Sequence, residues 1–153
     1  MSTRPSALQD HLGYWLRLIS HEVSGSFARR VESQGVSVAQ WVVLRLLFDR
    51  KDCSLVELTE AVGIDKGAVS RMIDRLIKLG WVRREASAKS RREIVLSLTP
   101  KAIALVPRLA READRNDEAF FGVLSAADRS HLHRIIRHLA ATHLPDAGKP
   151  PLH

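Results

Sequence analysis

The sequence predicts a mainly α-helical protein with a small β-hairpin, and three observations lead there. Apolar residues recur at helical spacing through most of the 153 residues. The period shortens to two only around residues 81–98, where two short apolar runs flank a polar, basic stretch. Positive charge is concentrated beside that change: residues 65–93 hold 9 basic and 4 acidic side chains, whereas residues 1–64 balance 7 with 7 and residues 94–153 hold 8 and 6. A surplus so placed points to a polyanion-binding surface, with a solvated helix face as the alternative.

With 45% hydrophobic and 27% charged residues, the chain fits one compact domain or two small lobes and excludes collagen-like or fully disordered behaviour. At this length folding buries roughly 70% of the unfolded surface, so neither a disulfide nor a structural metal is needed. The single Cys53 has no internal partner. No apolar segment follows Arg4, and no uncharged run reaches membrane-spanning length, so neither secretion nor a membrane partner is expected and the cytoplasm is the expected compartment.

The elements follow in order. Leu8, Leu12, Trp15, Leu16, Ile19, Val23, Phe27 and Val31 place one long helix over residues 7–33. A second stripe, His11, Tyr14, Leu18 and His21, widens its apolar sector beyond what one packed side requires. Ser37 and Gln40 form a capping box that opens a helix to about Phe48. Ser54 and Glu57 repeat it, with Cys53 and Leu58 at the staple positions and Gly63 as a left-handed stop. Asp65 caps the next helix, which turns Val69, Met72, Ile73, Leu76 and Leu79 inward before Gly80 ends it. Its outward residues are Lys66, Ser70, Arg71, Arg75 and Lys78. Residues 81–84 and 94–98 read as strands around a basic tip. Thr99 with Pro100 opens a helix that Pro107 should bend, and Ser125 opens the last, with Leu132, Ile135, Ile136 and Leu139 on one face.

Two helices joined by a tight turn and followed by a basic hairpin make a winged helix-turn-helix. A major groove about 12 Å wide admits one helix, while the hairpin reaches the neighbouring minor groove. Arg71 and Arg75, one turn apart, suit the groove, and Lys66 and Lys78 suit phosphates. Gly67 and Ala68 leave first-turn amides open to a phosphate. Double-stranded DNA is the expected partner, and a protein-binding winged helix is the alternative.

The run Asp65-Lys-Gly-Ala-Val-Ser-Arg-Met-Ile-Asp-Arg-Leu-Ile-Lys-Leu-Gly-Trp-Val-Arg-Arg84, with Arg92 and then Val95-Leu-Ser-Leu-Thr-Pro-Lys101, closely resembles MarR-type transcriptional regulators, and Val36–Leu44 resembles that family's second-helix entry. The resemblance covers about residues 8–143. It implies an obligate homodimer with intertwined first and terminal helices, bound to a palindromic operator and released by a small ligand or oxidant. Residues 1–35 and 100–144 would then dimerise, 36–99 would bind DNA, and 145–153 would form a flexible tail. Carried over by position, the DNA set is Lys66, Ser70, Arg71, Arg75 and Lys78 with Lys89, Arg91 and Arg92 of the wing. Ser90 departs from the pattern, since such wings often carry Asp there.

Asp74 lies on the DNA-facing side and needs a cation. Lys78 at i+4 would give only about 0.2–0.5 kcal/mol, whereas Arg92 would latch wing to helix, and the resemblance favours Arg92. An aromatic-effector pocket would draw on His11, Tyr14, Trp15, His21 and Trp41, with core or dimer packing as the alternative for these residues. Cys53 reads as a packing residue, because the family's peroxide sensors carry their cysteine in the first helix, where this chain has Tyr14 and Trp15; a redox switch at Cys53 is the alternative. His131 and His133 diverge by about 200° on a helix and, with His138, suggest no metal site. Phosphate-binding and hydrolase motifs are absent, so neither an enzyme nor a cofactor is expected.

Overall fold

Every helix start read from the capping residues between 37 and 125 is present in the computed structural model, which describes residues 5–90 and 92–143. The expected tail at 145–153 lies outside the described residues. Ser37 Oγ accepts from the Gln40 amide at 3.2 Å while Gln40 Oε1 accepts from the Ser37 amide at 2.9 Å, opening α2 (Val38–Arg50). Ser54 and Glu57 exchange the same pair of bonds at the start of α3 (Leu55–Val62). Thr99 Oγ1 accepts from the Ala102 amide to open α5 (Pro100–Phe121), which runs on through Pro107. Ser125 Oγ takes the Asp128 amide at the head of α6 (Ala126–His143). Each cap contributes about 1 kcal/mol by satisfying amides that a helix leaves unpaired.

The first helix starts later than its periodicity suggests. A 3-10 turn at Leu8–Asp10 precedes an extended His11, and α1 then spans Leu12–Glu32. The Ala7 amide donates to Asp10 at 2.9 Å and the Trp15 indole donates to Gln9 O at 2.8 Å, so local polar bonds fold the N-terminal side back and interrupt the apolar stripe. His11 is therefore the residue before the helix and not part of its second stripe.

A strand the apolar pattern does not mark, β1 (Asp52–Cys53), joins β2 (Val82–Ala86) and β3 (Ile94–Leu98) in an antiparallel sheet of order β1-β3-β2. Cys53 and Arg84 both pair with Leu96, so the central strand carries a neighbour on each edge. Two residues are too short for alternation to register. Lys51, at φ 67°, makes the turn from α2 into β1.

The core gathers Leu44 and Leu47 of α2, Leu58 of α3, Val69, Ile73 and Leu76 of α4 (Lys66–Lys78), and Leu96 and Leu98 of β3 under Val106 and Leu109 of α5. Leu79, expected inward, is exposed: it lies one residue past α4, where the turn into Gly80 at φ 72° carries it off the buried face. The outer helices meet along a polar seam, with Arg108 donating to Gln34 at 2.8 Å, Arg30 facing Glu112 at 3.7 Å, and the buried Asn116 donating to Val23 O at 3.1 Å. Helix α6 contributes no buried residue to the protomer.

Candidate nucleic-acid interface

Helices α3 and α4 are joined by three residues whose geometry is locally dictated. Gly63 adopts φ 73°, a left-handed conformation that side chains resist, and its amide closes on Thr59 O. Two residues later Asp65 opens α4 by accepting from the Gly67 and Ala68 amides at 2.8 and 3.1 Å. This overturns one expectation. The first-turn amides are already bonded to a carboxylate, so that helix start does not offer them to a phosphate. The small Gly67 makes room instead: a Cβ there would sit 3.0 Å from Asp65 Oδ1 and 3.4 Å from an Arg71 guanidinium nitrogen.

Lys66, Arg71, Arg75 and Lys78 are exposed on one side of α4, and Ser70 is half-buried among them. Arg75 also lines a shallow recess of about 240 Å³ with Glu32, Gly35, Val36, Ser37 and Gln40, beneath the turn between α1 and α2. On the hairpin, Lys89 and Arg92 are exposed, and Arg91 lies outside the described residues. The tip is shaped by its serines, with Ser87 Oγ accepting from the Lys89 amide and Ser90 Oγ from the Arg92 amide. The Glu57 carboxyl is held below the usual carboxylate range chiefly by the Ser54 amide and hydroxyl, with Arg50 and Lys89 adding to the effect.

Asp74 meets the hairpin through a different arginine from the one expected. Its carboxylate accepts from Arg84 of β2 at 2.7 Å and pairs with neither Arg92 nor Lys78. Strand alternation supplies the reason: Val82 is buried, and Arg84, two residues on, shares its face and meets Asp74 from the middle of β2. Arg92, six residues beyond the end of β2, belongs to the tip. Arg83 takes the opposite face, pairing with Glu85 at 2.7 Å and donating to the buried Ser97 at 3.1 Å. The period-two pattern of residues 81–84 places Arg84 on the face of Val82, whereas the resemblance to MarR-type wings points to Arg92.

A double-mutant cycle on duplex affinity should therefore show Asp74→Ala coupled to Arg84→Ala by on the order of 0.5 kcal/mol, the scale of a half-exposed pair. With Arg92→Ala the cycle should be additive. Coupling to Arg92 in place of Arg84 would reverse the assignment.

The five effector-pocket candidates are spread along one protomer, three of them at the head of α1. Tyr14 and Trp15 stack edge to face at 5.3 Å beside His11, which bonds Ser6 at 3.0 Å, all at the head of α1. Trp41 packs against Phe27 at 6.4 Å. Tyr14 and Phe27 are thirteen residues apart on α1, about 20 Å along its axis, and His21 is exposed between them. Among the described residues no three His, Cys, Asp or Glu side chains gather to hold a metal ion, and no helix is long and apolar enough to cross a membrane.

Cys53 is buried in β1, and burial pushes its thiol up to about 11, with Arg50 opposing only in part. At neutral pH it is a protonated thiol, whereas the thiolate is the nucleophile toward peroxide. Mild peroxide should leave duplex binding unchanged in both the native protein and Cys53→Ser, as read by gel shift; release that vanishes in the serine variant would make Cys53 a switch. The raised value has a further consequence. Above about pH 9 the unfolded thiol ionises while the folded one stays protonated, so the thiol's contribution to stability falls between pH 9 and 11, and Cys53→Ala should lack that increment in thermal melts.

An exposed cationic helix set by a tight turn beside a basic hairpin defines the chain as a winged helix-turn-helix protein. Residues 36–94 match the MarR family. A putative transcriptional regulatory protein for the hcr operon of Thauera aromatica is 25% identical over 134 residues, 87% of this chain and 81% of that protein. BpsR of Bordetella bronchiseptica, whose DNA binding is regulated by 6-hydroxynicotinic acid, is 28% identical with a TM-score of 0.75, covering 90% of this chain and 98% of BpsR. A cysteine-to-serine mutant of MarR from E. coli, solved with operator DNA, shares the fold at 22% identity and a TM-score of 0.74, over 88% of this chain and 99% of that one. Residues 36–94 thus carry the MarR match, and over most of its length the chain is similar to transcriptional regulators of that kind.

Proposed function

We propose that this regulator is a cytoplasmic homodimeric repressor that binds a pseudo-palindromic operator and releases it on binding a small aromatic ligand. The observation that carries the reading is the pairing of two incomplete surfaces. Helix α4 presents Lys66, Arg71, Arg75 and Lys78 to solvent, while α6 has an apolar stripe with no buried residue. An 18-residue helix gains little stability from its own backbone and needs a packed face. On α1, Leu12, Leu16 and Ile19 are also exposed. A second copy covering both faces sets two recognition helices about one helical turn apart on the duplex, a spacing of roughly 34–36 Å.

Residues 36–99 form the DNA-binding lobe in this reading, and residues 1–35 and 100–144 the dimerisation region. Arg71 and Arg75 reach base edges, Ser70 adds a hydroxyl, Lys66 and Lys78 meet phosphates, and Lys89, Arg91 and Arg92 take the wing into the minor groove. The aromatic-ligand assignment draws support from the regulation of BpsR by 6-hydroxynicotinic acid. Across a dimer, the group at His11, Tyr14 and Trp15 and the group at Trp41, with His21 between, line the faces that a second copy would close.

Fluorescence anisotropy with duplex from the chain's own upstream region tests the reading. Duplex should bind far more tightly than the same sequence as a single strand, at one dimer per site. Equal affinity for the two, or no binding, would favour a winged helix that docks protein.

A further inference from the structure

The C-terminal end of α4 and the first turn of α5 are bonded to each other through consecutive polar contacts. Thr99 Oγ1 donates to Gly80 O at 2.7 Å, and the Thr99 amide donates to Trp81 O at 3.0 Å. Lys101 Nζ donates to Leu79 O at 3.3 Å and lies 5.9 Å from the centroid of the Trp81 ring. Trp81 is buried as part of the core, and its amide returns to Leu76 O at 2.9 Å. Its Nε1 has no acceptor among the described residues, so packing and the ammonium above its face hold the ring.

The chemistry fits a junction built to transmit position. Leu79 O, at the C-cap of α4, lacks an intrahelical partner and lies at the negative end of the helix dipole, and Lys101 of α5 brings a cation to it, while the Thr99 hydroxyl takes the carbonyl of Gly80, one residue further on. Thr99 serves both helices at once, capping α5 through Ala102 while gripping Gly80. Behind this turn Ala102, Val106 and Leu109 anchor α5 in the core, and its later turns face α1 along the polar seam.

We propose that Thr99 and Lys101 clamp the end of α4 to the start of α5, so that the two move as one body and Lys101 positions the recognition helix for duplex binding without itself touching DNA. The proposal rests on the reading of α4 as the recognition helix. A displacement of α5, arising wherever a second copy or a ligand presses on it, then re-aims Arg71 and Arg75 through the first turn of α5.

The test uses the full-length protein with Lys101→Met and Lys101→Arg, and with Thr99→Ser as a variant that keeps the hydroxyl. Amide hydrogen exchange on the free protein needs no DNA. Lys101→Met should speed exchange at Gly80 and Trp81 together with the first turn of α5, and Lys101→Arg and Thr99→Ser should leave it near the native rate. On a duplex selected by the native protein from a random pool, Lys101→Met should lose about fivefold in affinity, the scale of mutations that act through coupling. Lys101→Arg should restore it, and the dependence of log affinity on log salt should keep its slope. A slope lowered by about 0.9 would make Lys101 a phosphate contact and overturn the proposal, as would unchanged exchange at Gly80 and Trp81. Failure of the native protein to select any duplex would sink the DNA-binding reading, while the exchange experiment would still decide the clamp.

Discussion

Ile135→Asp combined with Leu139→Asp is expected to turn the protein into a monomer that no longer retains its operator. Ile135 and Leu139 lie one turn apart on α6 and are 48% and 44% exposed in the protomer. A packed aliphatic side chain gains about 1.5–3 kcal/mol on full burial. Half-covered as they stand, these two would gain roughly 1 kcal/mol each, and a symmetric dimer counts each twice. The loss is on the order of 4 kcal/mol, a thousandfold in dissociation constant, before the cost of burying four carboxylates is added. Sedimentation at micromolar concentration should show a single-chain species, and circular dichroism should show lost helix as α6 loses its packing face. Duplex affinity should collapse with it, since one lobe reads only half a site. A variant that stays dimeric and binds normally would mean that the stripe faces something other than a second copy.

Arg71→Ala is expected to give the next largest loss, about 5- to 150-fold in operator affinity, the equivalent of 1–3 kcal/mol for one bidentate base contact. Its guanidinium lies over Gly67, and the α4 segment that carries it is fixed by the Asp65 cap at one end and the buried Val69, Ile73 and Leu76 behind. The same substitution should narrow the difference between operator and random duplex, because a base contact carries sequence information. Lys78→Ala, near the helix end, should act otherwise: a smaller loss, equal on both duplexes, with the salt slope reduced by about 0.9. If Arg71→Ala weakens both duplexes alike, Arg71 is a phosphate contact and base reading falls to Arg75.

Much of the fold is legible because its signals are local. Capping boxes at Ser37 and Ser54, the Asp65 and Thr99 caps, and Gly63 and Gly80 with positive φ are each decided within four residues of chain, and all are present. Where local signals compete, periodicity misleads. The two stripes begin at Leu8 and His11, yet the bonds from Ala7 to Asp10 and from Trp15 to Gln9 cut the helix back to Leu12. Leu79 kept the spacing of a core residue while the chain was already leaving the helix at Gly80.

The sequence by itself determined the helix-turn-helix, the hairpin and the side of α4 that bears the cations, because each follows from short-range hydrogen bonding and from a hydrophobic period of 3.6 or two. Contacts between groups distant along the chain were decided only by tertiary structure. By spacing Asp74 could reach Lys78 or Arg92, but Arg84 meets it, on the same face of β2 as the buried Val82. Strand β1 exists because Asp52 and Cys53 lie opposite Ser97 and Leu96, more than forty residues away, a pairing that two residues of sequence do not encode. The Thr99 and Lys101 bonds to the end of α4 likewise depend on how the wing returns the chain, which propensity does not reach. Long-range pairing is set by the packing of whole elements around Leu44, Ile73 and Leu96, and no local window of residues contains that information.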